Sequence, residues 1–491
     1  MTQDVRNYVN GEWCDASGGE RAKNLNPATG ELVGWYPKGG VEDARAAIAA
    51  ARAALPAWRA TPAPVRGRVI ERAARLMEER KDALARALTL EEGKTLHESA
   101  GEVQKAINVL EFTAGEARRL NGETIPSEMP RTFAYTVRQP LGVVGIVTPW
   151  NFPVCIPAWK IAPALVSGNT VVFKPASLTP LTAQIIVQIF ADAGAPRGTL
   201  NLVLGSGATV GQAVVEATEV AALSFTGSND VGTALYRDGA SRGKKVQCEM
   251  GGKNALVLLR DGDVELAAVA TAQGAFGSSG QRCTATSRAV VERQVLEPFL
   301  AAVEGLAKKI VVGDGTRAGV TMGPVVDEGQ LRTVMEYVEI GKREAKLVYG
   351  GRRLGDGEHA KGFFVEPTIF AGVKAEHRIA QEEVFGPVLS VIAVDSPEEA
   401  LAVTNGVRYG LSSSIYTRDL VLAQRFIDEV ETGIVHINSP TMGGEAQLPF
   451  GGMKATGVGQ REMGKTAIDF YTEWKTVYVD YTGTKRETNI Y

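Results

Sequence analysis

Two stretches of this chain carry residue types suited to covalent chemistry. In Phe276-Gly277-Ser278-Ser279-Gly280-Gln281-Arg282-Cys283 a cysteine follows a turn of small residues, and about thirty residues upstream Gln247-Cys248-Glu249-Met250-Gly251-Gly252-Lys253-Asn254 sets a carboxylate beside a glycine pair. Gly277 and Gly280 permit close backbone approach, and a strand interior would not favour Gly251-Gly252. The reactive form of cysteine is the thiolate, and its ordinary pKa of about 8.5 means that Cys283 needs a neighbouring base, dipole or cation to attack at neutral pH. Glu249 is the candidate base. By residue type alone, Cys283 reads equally as a small buried hydrophobe and Glu249 as a surface carboxylate, solvated or salt-bridged.

Those residues need elements to hold them. Residues 1–40 contain two short strand candidates, Asn7 to Val9 and Glu31 to Tyr36, separated by the turn Asn26-Pro27-Ala28-Thr29-Gly30. From Val41 to about Arg119 apolar residues recur at helical spacing, which predicts three or more helices broken at Pro56 and Thr61-Pro62-Ala63-Pro64, with Gly93 interrupting the last. Phe133 to Val137 alternates as an exposed strand would. Apolar runs at Leu141–Val147, Thr170–Phe173 and Leu200–Leu204 each precede a helical stretch, and this alternation implies parallel βαβ units in a doubly wound sheet with ligands at the carboxyl ends of its strands. The string GSGATVG, with Gly207 and Gly211, misses the GxGxxG spacing by one residue and reads as a dinucleotide turn or an ordinary loop. Ser228, after Ala221–Phe225, reads as a helix N-cap worth about 1 kcal/mol or as the edge of a pyrophosphate site at a helix N-terminus. Strands and helices begin again at Ala255 and continue through Ile437, enough for a second α/β domain with its boundary near Gly251-Gly252. Thr472 to Asp480 alternates as a late strand.

Composition narrows the classes. A 491-residue chain with 44% hydrophobic and 22% charged residues suits a globular protein of two to four domains, and its formal charge of −3 offers no basic field for nucleic acid or anionic lipid. The first residues lack the basic head and apolar core of a signal peptide, and no apolar run reaches membrane-spanning length, so a cytoplasmic protein is expected. Four scattered cysteines suggest reduced thiols rather than a disulfide framework, and four histidines form no ligand cluster, so no metal is expected. The 55 glycines, about 11% against a usual ~7%, imply many tight turns.

Read together, CEMGGKN around Glu249, GQRC ending at Cys283, TPWNFP from Thr148 to Pro153, KPAS from Lys174 to Ser177, FTGS from Phe225 to Ser228, EEVFGPV from Glu382 to Val388 and LPFGGMK from Leu448 to Lys454 resemble the NAD(P)-dependent aldehyde dehydrogenase superfamily, in its order and spacing across nearly the whole chain. The resemblance implies an α/β fold of two doubly wound domains: a Rossmann-like cofactor domain (1–122 and 142–251), a catalytic domain (252–455), and a small β oligomerisation arm (123–141 and 472–491). It further implies that Cys283 attacks the aldehyde, that the Asn151 amide and the Cys283 N–H hold the oxyanion, and that Glu249 activates water for thioester hydrolysis to a free acid. Without the resemblance, Asn151 is a turn residue before Phe152-Pro153. Lys160 and Glu462 match positions that shape the site and a proton route. Cofactor residues carry over as Thr148, Pro149, Trp150, Asn151, Lys174, Ala176, Ser177, Gly207, Gly211, Phe225, Thr226, Gly227, Ser228, Glu249, Glu383 and Phe385. Lys174 is assigned the adenosine ribose and Glu383 the nicotinamide ribose. Phe152, Arg282 and Phe450 fall on the substrate side, and a homodimer or homotetramer is implied.

Three departures matter. Ser177 stands where NAD-selective members often carry glutamate, and a serine beside Lys174 would not repel a 2′-phosphate, so use of both NAD and NADP is expected. Ser278 replaces a common asparagine, and Gly277 and Gly444 stand where users of aromatic aldehydes have rings, implying a wider, polar tunnel. Arg282 is a candidate bidentate donor to a substrate carboxylate, or else a structural ion pair. The two catalytic motifs look most like those of dehydrogenases of 2-oxoglutarate semialdehyde (2,5-dioxopentanoate). Succinate or glutarate semialdehyde, a broad range of aliphatic aldehydes, and a catalytically silent structural relative are the alternatives.

Overall fold

The computed structural model describes residues 3–485. Two mixed sheets organise the chain. In the first, the parallel strands Leu200–Leu202, Thr170–Lys174, Val143–Val147, Val220–Thr226 and Lys245–Glu249 lie side by side in that order, flanked by antiparallel Asn7–Val9 at one edge and Gly457–Val458 at the other. Numbered along the chain this is the order 3-2-1-4-5. The direction of winding reverses between Val143–Val147 and Val220–Thr226, which opens a crevice at their carboxyl ends. These strands are short β-branched runs, VVGIV and TVVFK, because helices cover both faces and leave no face to be polar.

The second sheet follows once the chain leaves Glu249. Asn254–Leu258, Thr286–Glu292, Val388–Val394, Thr368–Ala371, Ser412–Tyr416 and Ile434–Ile437 are parallel, with Lys346–Tyr349 antiparallel at one edge. It turns the amino ends of its central strands toward the first sheet, because Gly251-Gly252 lead into Asn254 and Cys283 precedes Thr286. A third, three-stranded sheet projects from the body: Thr472–Asp480 pairs along its whole length with Thr132–Pro140, which also pairs with Thr124–Ile125. The last strand runs as the sequence predicts, while residues 486–491 of the expected arm lie outside the described residues.

The helical region holds four helices, Val41–Ala60, Ala63–Glu79, Lys81–Glu92 and Leu96–Glu116. The expected break at Pro56 does not occur. Pro56 sits in the last turns of its helix on an exposed face, as does Arg52, so water can take the hydrogen bond that the ring denies to the Arg52 carbonyl. Gly93 ends the third helix in a left-handed conformation (φ 98°), and Thr95 with Glu98 forms a capping box that starts the fourth. That fourth helix packs on Cys155–Val166, a helix buried on every side. Among the described residues no helix is long and apolar enough to cross a membrane, and no group of His, Cys, Asp and Glu is placed to hold a metal.

Candidate active site

Cys283 owes its position to a turn the backbone resists. Ser278, Ser279 and Gly280 are all left-handed (φ 50°, 56° and 68°), and a side chain on Gly280 would strike the Gly386 carbonyl. Two left-handed serines cost energy, so the surroundings must hold them. Ser279 Oγ donates to the Gly323 carbonyl (2.7 Å), Gln281 Oε1 accepts from Val326 N–H (2.9 Å), and Asn254 Nδ2 bridges the carbonyls of Cys283 (2.7 Å) and Ala285 (2.9 Å).

Asn151 arrives from the other sheet, on the turn between Val143–Val147 and Cys155–Val166. Its Nδ2 donates to the Gln281 carbonyl (3.1 Å), so the amide lies against the cysteine turn and keeps a second N–H for another acceptor. The Asn151 turn rests on a buried ion pair that the sequence motifs did not announce. Lys94 Nζ donates to Glu102 Oε2 (2.7 Å) and to the Asn151 carbonyl (2.6 Å), and Glu102 Oε1 accepts from the N–H groups of Val154 (2.8 Å) and Cys155 (3.1 Å).

Glu249 ends the strand Lys245–Glu249 and is buried, and its Oε1 has no hydrogen-bond partner among the described residues. An orphaned carboxylate oxygen can accept a water. Burial and then the neighbouring Glu462 charge raise the Glu249 pKa well above the ordinary carboxylate range. The Cys283 thiol is pushed up to about 12, by burial first and then by the charges of Glu249 and Glu383. Such a thiol is protonated at rest, and its attack requires a group to take the proton. Behind Glu249, Glu462 pairs with Lys160 and accepts from Trp159 Nε1 (2.7 Å) and Thr226 Oγ1 (3.2 Å). Lys160 Nζ also donates to Ser224 Oγ (2.8 Å), which completes a buried polar chain.

A cavity of about 240 Å³ opens at the crevice of the first sheet. Cys283, Asn151, Pro149, Trp150, Thr226, Gly227, Ser228, Glu383 and Phe385 line it, joined by Met250 and Gly251 of the Glu249 motif and by Ile156 and Gln330, which the sequence did not single out. Trp150 and Phe385 meet edge to face at 5.5 Å, and Gln330 Nε2 holds the left-handed Phe385 through its carbonyl (2.8 Å). Three observations fit a dinucleotide here. Glu383 takes the Gly252 N–H on Oε1 (2.9 Å), and burial lifts its pKa to about 7. Thr148 Oγ1, also buried, has no partner among the described residues. The helix Asn229–Ser241 begins at Ser228 with no side-chain cap, so its first N–H groups face the crevice.

Lys174, Ser177, Gly207 and Gly211 lie apart from this cavity. Gly211 faces the Lys174 stem, and Ser177 Oγ donates to the Gly205 carbonyl (3.2 Å). Ser177 lines a separate cavity of about 500 Å³ with Tyr36, Lys38, Ser206 and Thr209. Lys174 donates to the Pro175 carbonyl (2.7 Å), and burial brings its pKa down to about 8. Ala176, half-buried, joins the two.

On the opposite side of Cys283, Phe152, Trp159 and Phe450 form an aromatic wall, with Trp159 and Phe450 5.3 Å apart. Arg282 borders it with its donors engaged: Nε and Nη2 reach Ser278 Oγ (3.1 and 3.0 Å), Nη1 points at Met442 Sδ (3.0 Å), and Glu98 lies 3.6 Å away. Glu98 also accepts the Ser278 N–H (2.6 Å).

The sequence profile described as the aldehyde dehydrogenase family matches residues 13–477. The chain belongs to the aldehyde dehydrogenase family. It is an oxidoreductase that oxidises an aldehyde with a nicotinamide dinucleotide. Among its relatives, the α-ketoglutaric semialdehyde dehydrogenase of Bacillus subtilis is 46% identical over 475 residues, 96% of this chain and 97% of that protein. The 2,5-dioxopentanoate dehydrogenase of Saccharolobus solfataricus is 44% identical over 95% of this chain and 98% of its own. A crystal structure of betaine aldehyde dehydrogenase from Staphylococcus aureus in complex with NAD+ superposes with a TM-score of 0.95 at 35% identity, covering 98% of this aldehyde dehydrogenase and 96% of that chain.

Proposed function

We propose that this aldehyde dehydrogenase converts 2-oxoglutarate semialdehyde (2,5-dioxopentanoate) to 2-oxoglutarate. The observation that carries the substrate is the naming of three relatives, each 44–46% identical over nearly its whole length, for that compound. In this reading Cys283 Sγ bonds to the aldehyde carbon while its proton passes to Glu249. The free N–H of Asn151 and the Cys283 N–H receive the oxyanion, the kind of donor worth about 3–4 kcal/mol in a barrier. The cofactor supplies the acceptor for the hydride that leaves the same carbon, so the adduct on sulfur becomes a thioester. Glu249 gives that first proton up toward Glu462 and Lys160 and, ionised again, takes a proton from water at its open Oε1; the water oxygen bonds to the acyl carbon, the carbon–sulfur bond breaks as a proton returns to the sulfur, and the free acid leaves. Lys160 and Glu462 relay that proton outward through Thr226 and Ser224.

Residues 1–122 and 142–251 are the cofactor domain, 252–455 the catalytic domain, and 123–141 with the strand from Thr472 the oligomerisation arm. Trp150, Ser228, Glu383 and Phe385 hold the nicotinamide half of the cofactor, and Lys174 with Ser177 the adenosine half. Both NAD and NADP are used, because Ser177 and Lys38 open on one cavity where a 2′-phosphate meets no carboxylate at position 177; Glu20, now paired with Lys38 at 2.8 Å, would yield its partner to the phosphate. Four free cysteines fit a reducing, cytoplasmic setting.

A steady-state series of C4 to C6 semialdehydes with each cofactor tests this. The highest kcat/KM is expected for 2-oxoglutarate semialdehyde. A higher value for succinate semialdehyde, glutarate semialdehyde or an unsubstituted aliphatic aldehyde would replace the substrate, a preference for NAD above about a thousandfold would remove NADP, and no NAD(P)H from any aldehyde would mark a silent relative.

A further inference from the structure

The aromatic wall beside Cys283 carries a cation that none of the sequence motifs contains. Lys105 projects from the helix Leu96–Glu116 with its ammonium 5.4 Å from the centre of the Trp159 ring and 5.7 Å from that of Phe450. Among the described residues no carboxylate pairs with it. Gly444 stands opposite: a Cβ there would lie 3.5 Å from Lys105 Nζ, so the missing side chain leaves the ammonium open. Arg282, the other cation near this wall, is tied to Ser278, Glu98 and Met442 and would have to leave them to reach a ligand.

We infer that Lys105 is the anchor for the remote carboxylate of the aldehyde, and so the residue that selects ω-oxo acids over neutral aldehydes. The inference rests on the substrate reading above for the identity of the acid, though not for the presence of a carboxylate. A compact ammonium with three donors on a flexible stem suits a carboxylate that approaches past the Trp159 and Phe450 rings. The two rings already steady the half-buried cation before a carboxylate arrives. The same positive charge lowers the Cys283 thiol pKa, against the larger effect of burial. The same placement disfavours a cationic aldehyde. Aromatic faces that could receive a quaternary ammonium are already covered by Lys105, and a betaine aldehyde would meet like charge.

The test compares wild type, Lys105→Met and Lys105→Arg on 2-oxoglutarate semialdehyde and succinate semialdehyde against pentanal and butanal. The ratio of kcat/KM for acidic to neutral aldehydes is expected to fall at least tenfold in Lys105→Met, chiefly through KM, and to recover in Lys105→Arg. Inhibition of wild type by glutarate, competitive against aldehyde, should weaken by a similar factor in Lys105→Met. An unchanged ratio, or an equal loss on both classes with no recovery in Lys105→Arg, would overturn the inference. If wild type prefers another ω-oxo acid while Lys105→Met lowers the ratio, the substrate reading fails and Lys105 stands; a wild type indifferent to the carboxylate overturns both.

Discussion

Asn151 and Cys283 line one cavity, Glu249 ends the strand that leads into Met250 and Gly251 of its wall, and each is set by an identifiable contact: Gln281 for the amide, burial beside Glu462 for the carboxylate, and Asn254 for the cysteine turn. Replacing Asn151 by Ala should lower kcat by two to three orders of magnitude, about 3–4 kcal/mol, with little change in cofactor affinity. A loss below tenfold would remove the amide from the oxyanion site. Glu249 acts only when ionised, so kcat should rise with pH through a pKa well above that of a free glutamate. The Glu462 charge is one cause of that elevation and Lys160 opposes it, so Glu462→Gln removes the first and leaves the second unpaired; both effects shift the acidic limb to lower pH. A limb that stays in place would separate Glu462 from the base. Ser177→Glu should cost NADP far more than NAD in kcat/KM, because a carboxylate would then face the 2′-phosphate.

At the scale of elements, the helix Leu96–Glu116 contributes more than the motifs indicated. Glu98, Glu102 and Lys105 recur at i, i+4 and i+7 on one face, and each touches a different part of the site: the cysteine turn, the Asn151 turn and the aromatic wall. The Glu102–Lys94 pair is fully buried, and Glu102→Ala would leave the Lys94 charge with only the more distant Glu92 carboxylate, 3.9 Å away. A stability loss of about 3–5 kcal/mol is expected, read as a lower urea midpoint, together with a fall in kcat as the Asn151 turn loosens. An unchanged midpoint would make the pair dispensable. Much of this architecture was legible beforehand. The βαβ alternation located most strands of the two sheets to within a residue or two, though not Lys245–Glu249 or Thr368–Ala371, and Cys283, Glu249 and Asn151 stood in compact motifs. The helix stripe was not legible, because charges at helical spacing read as a solvated face until the neighbour they meet is known. Pro56 misled for a related reason, since it lies near the end of its helix, where the carbonyl its ring leaves without a donor is exposed to water.

At the scale of the molecule, the two sheets meet ends-on: carboxyl ends of the first bring the cofactor crevice and Glu249, amino ends of the second bring Gly252 and the cysteine turn. The three-stranded arm leaves Phe133 and Val479 exposed on one face and Trp474 and Tyr478 on the other, apolar residues suited to contact with a second copy of the chain. Tyr478→Asp combined with Val479→Asp should reduce the mass found by light scattering, and an unaltered mass would place the interface elsewhere. The whole assembly exists, in this account, to let a sulfur at residue 283 carry the substrate as an acyl group until Glu249 delivers water. Glu249→Gln mixed rapidly with NAD+ and 2-oxoglutarate semialdehyde tests that most directly. The account predicts a burst of about one NADH per subunit, little turnover afterwards, and an acyl mass on the peptide that contains Cys283. Steady NADH production without a burst, and an unmodified Cys283 peptide, would contradict it.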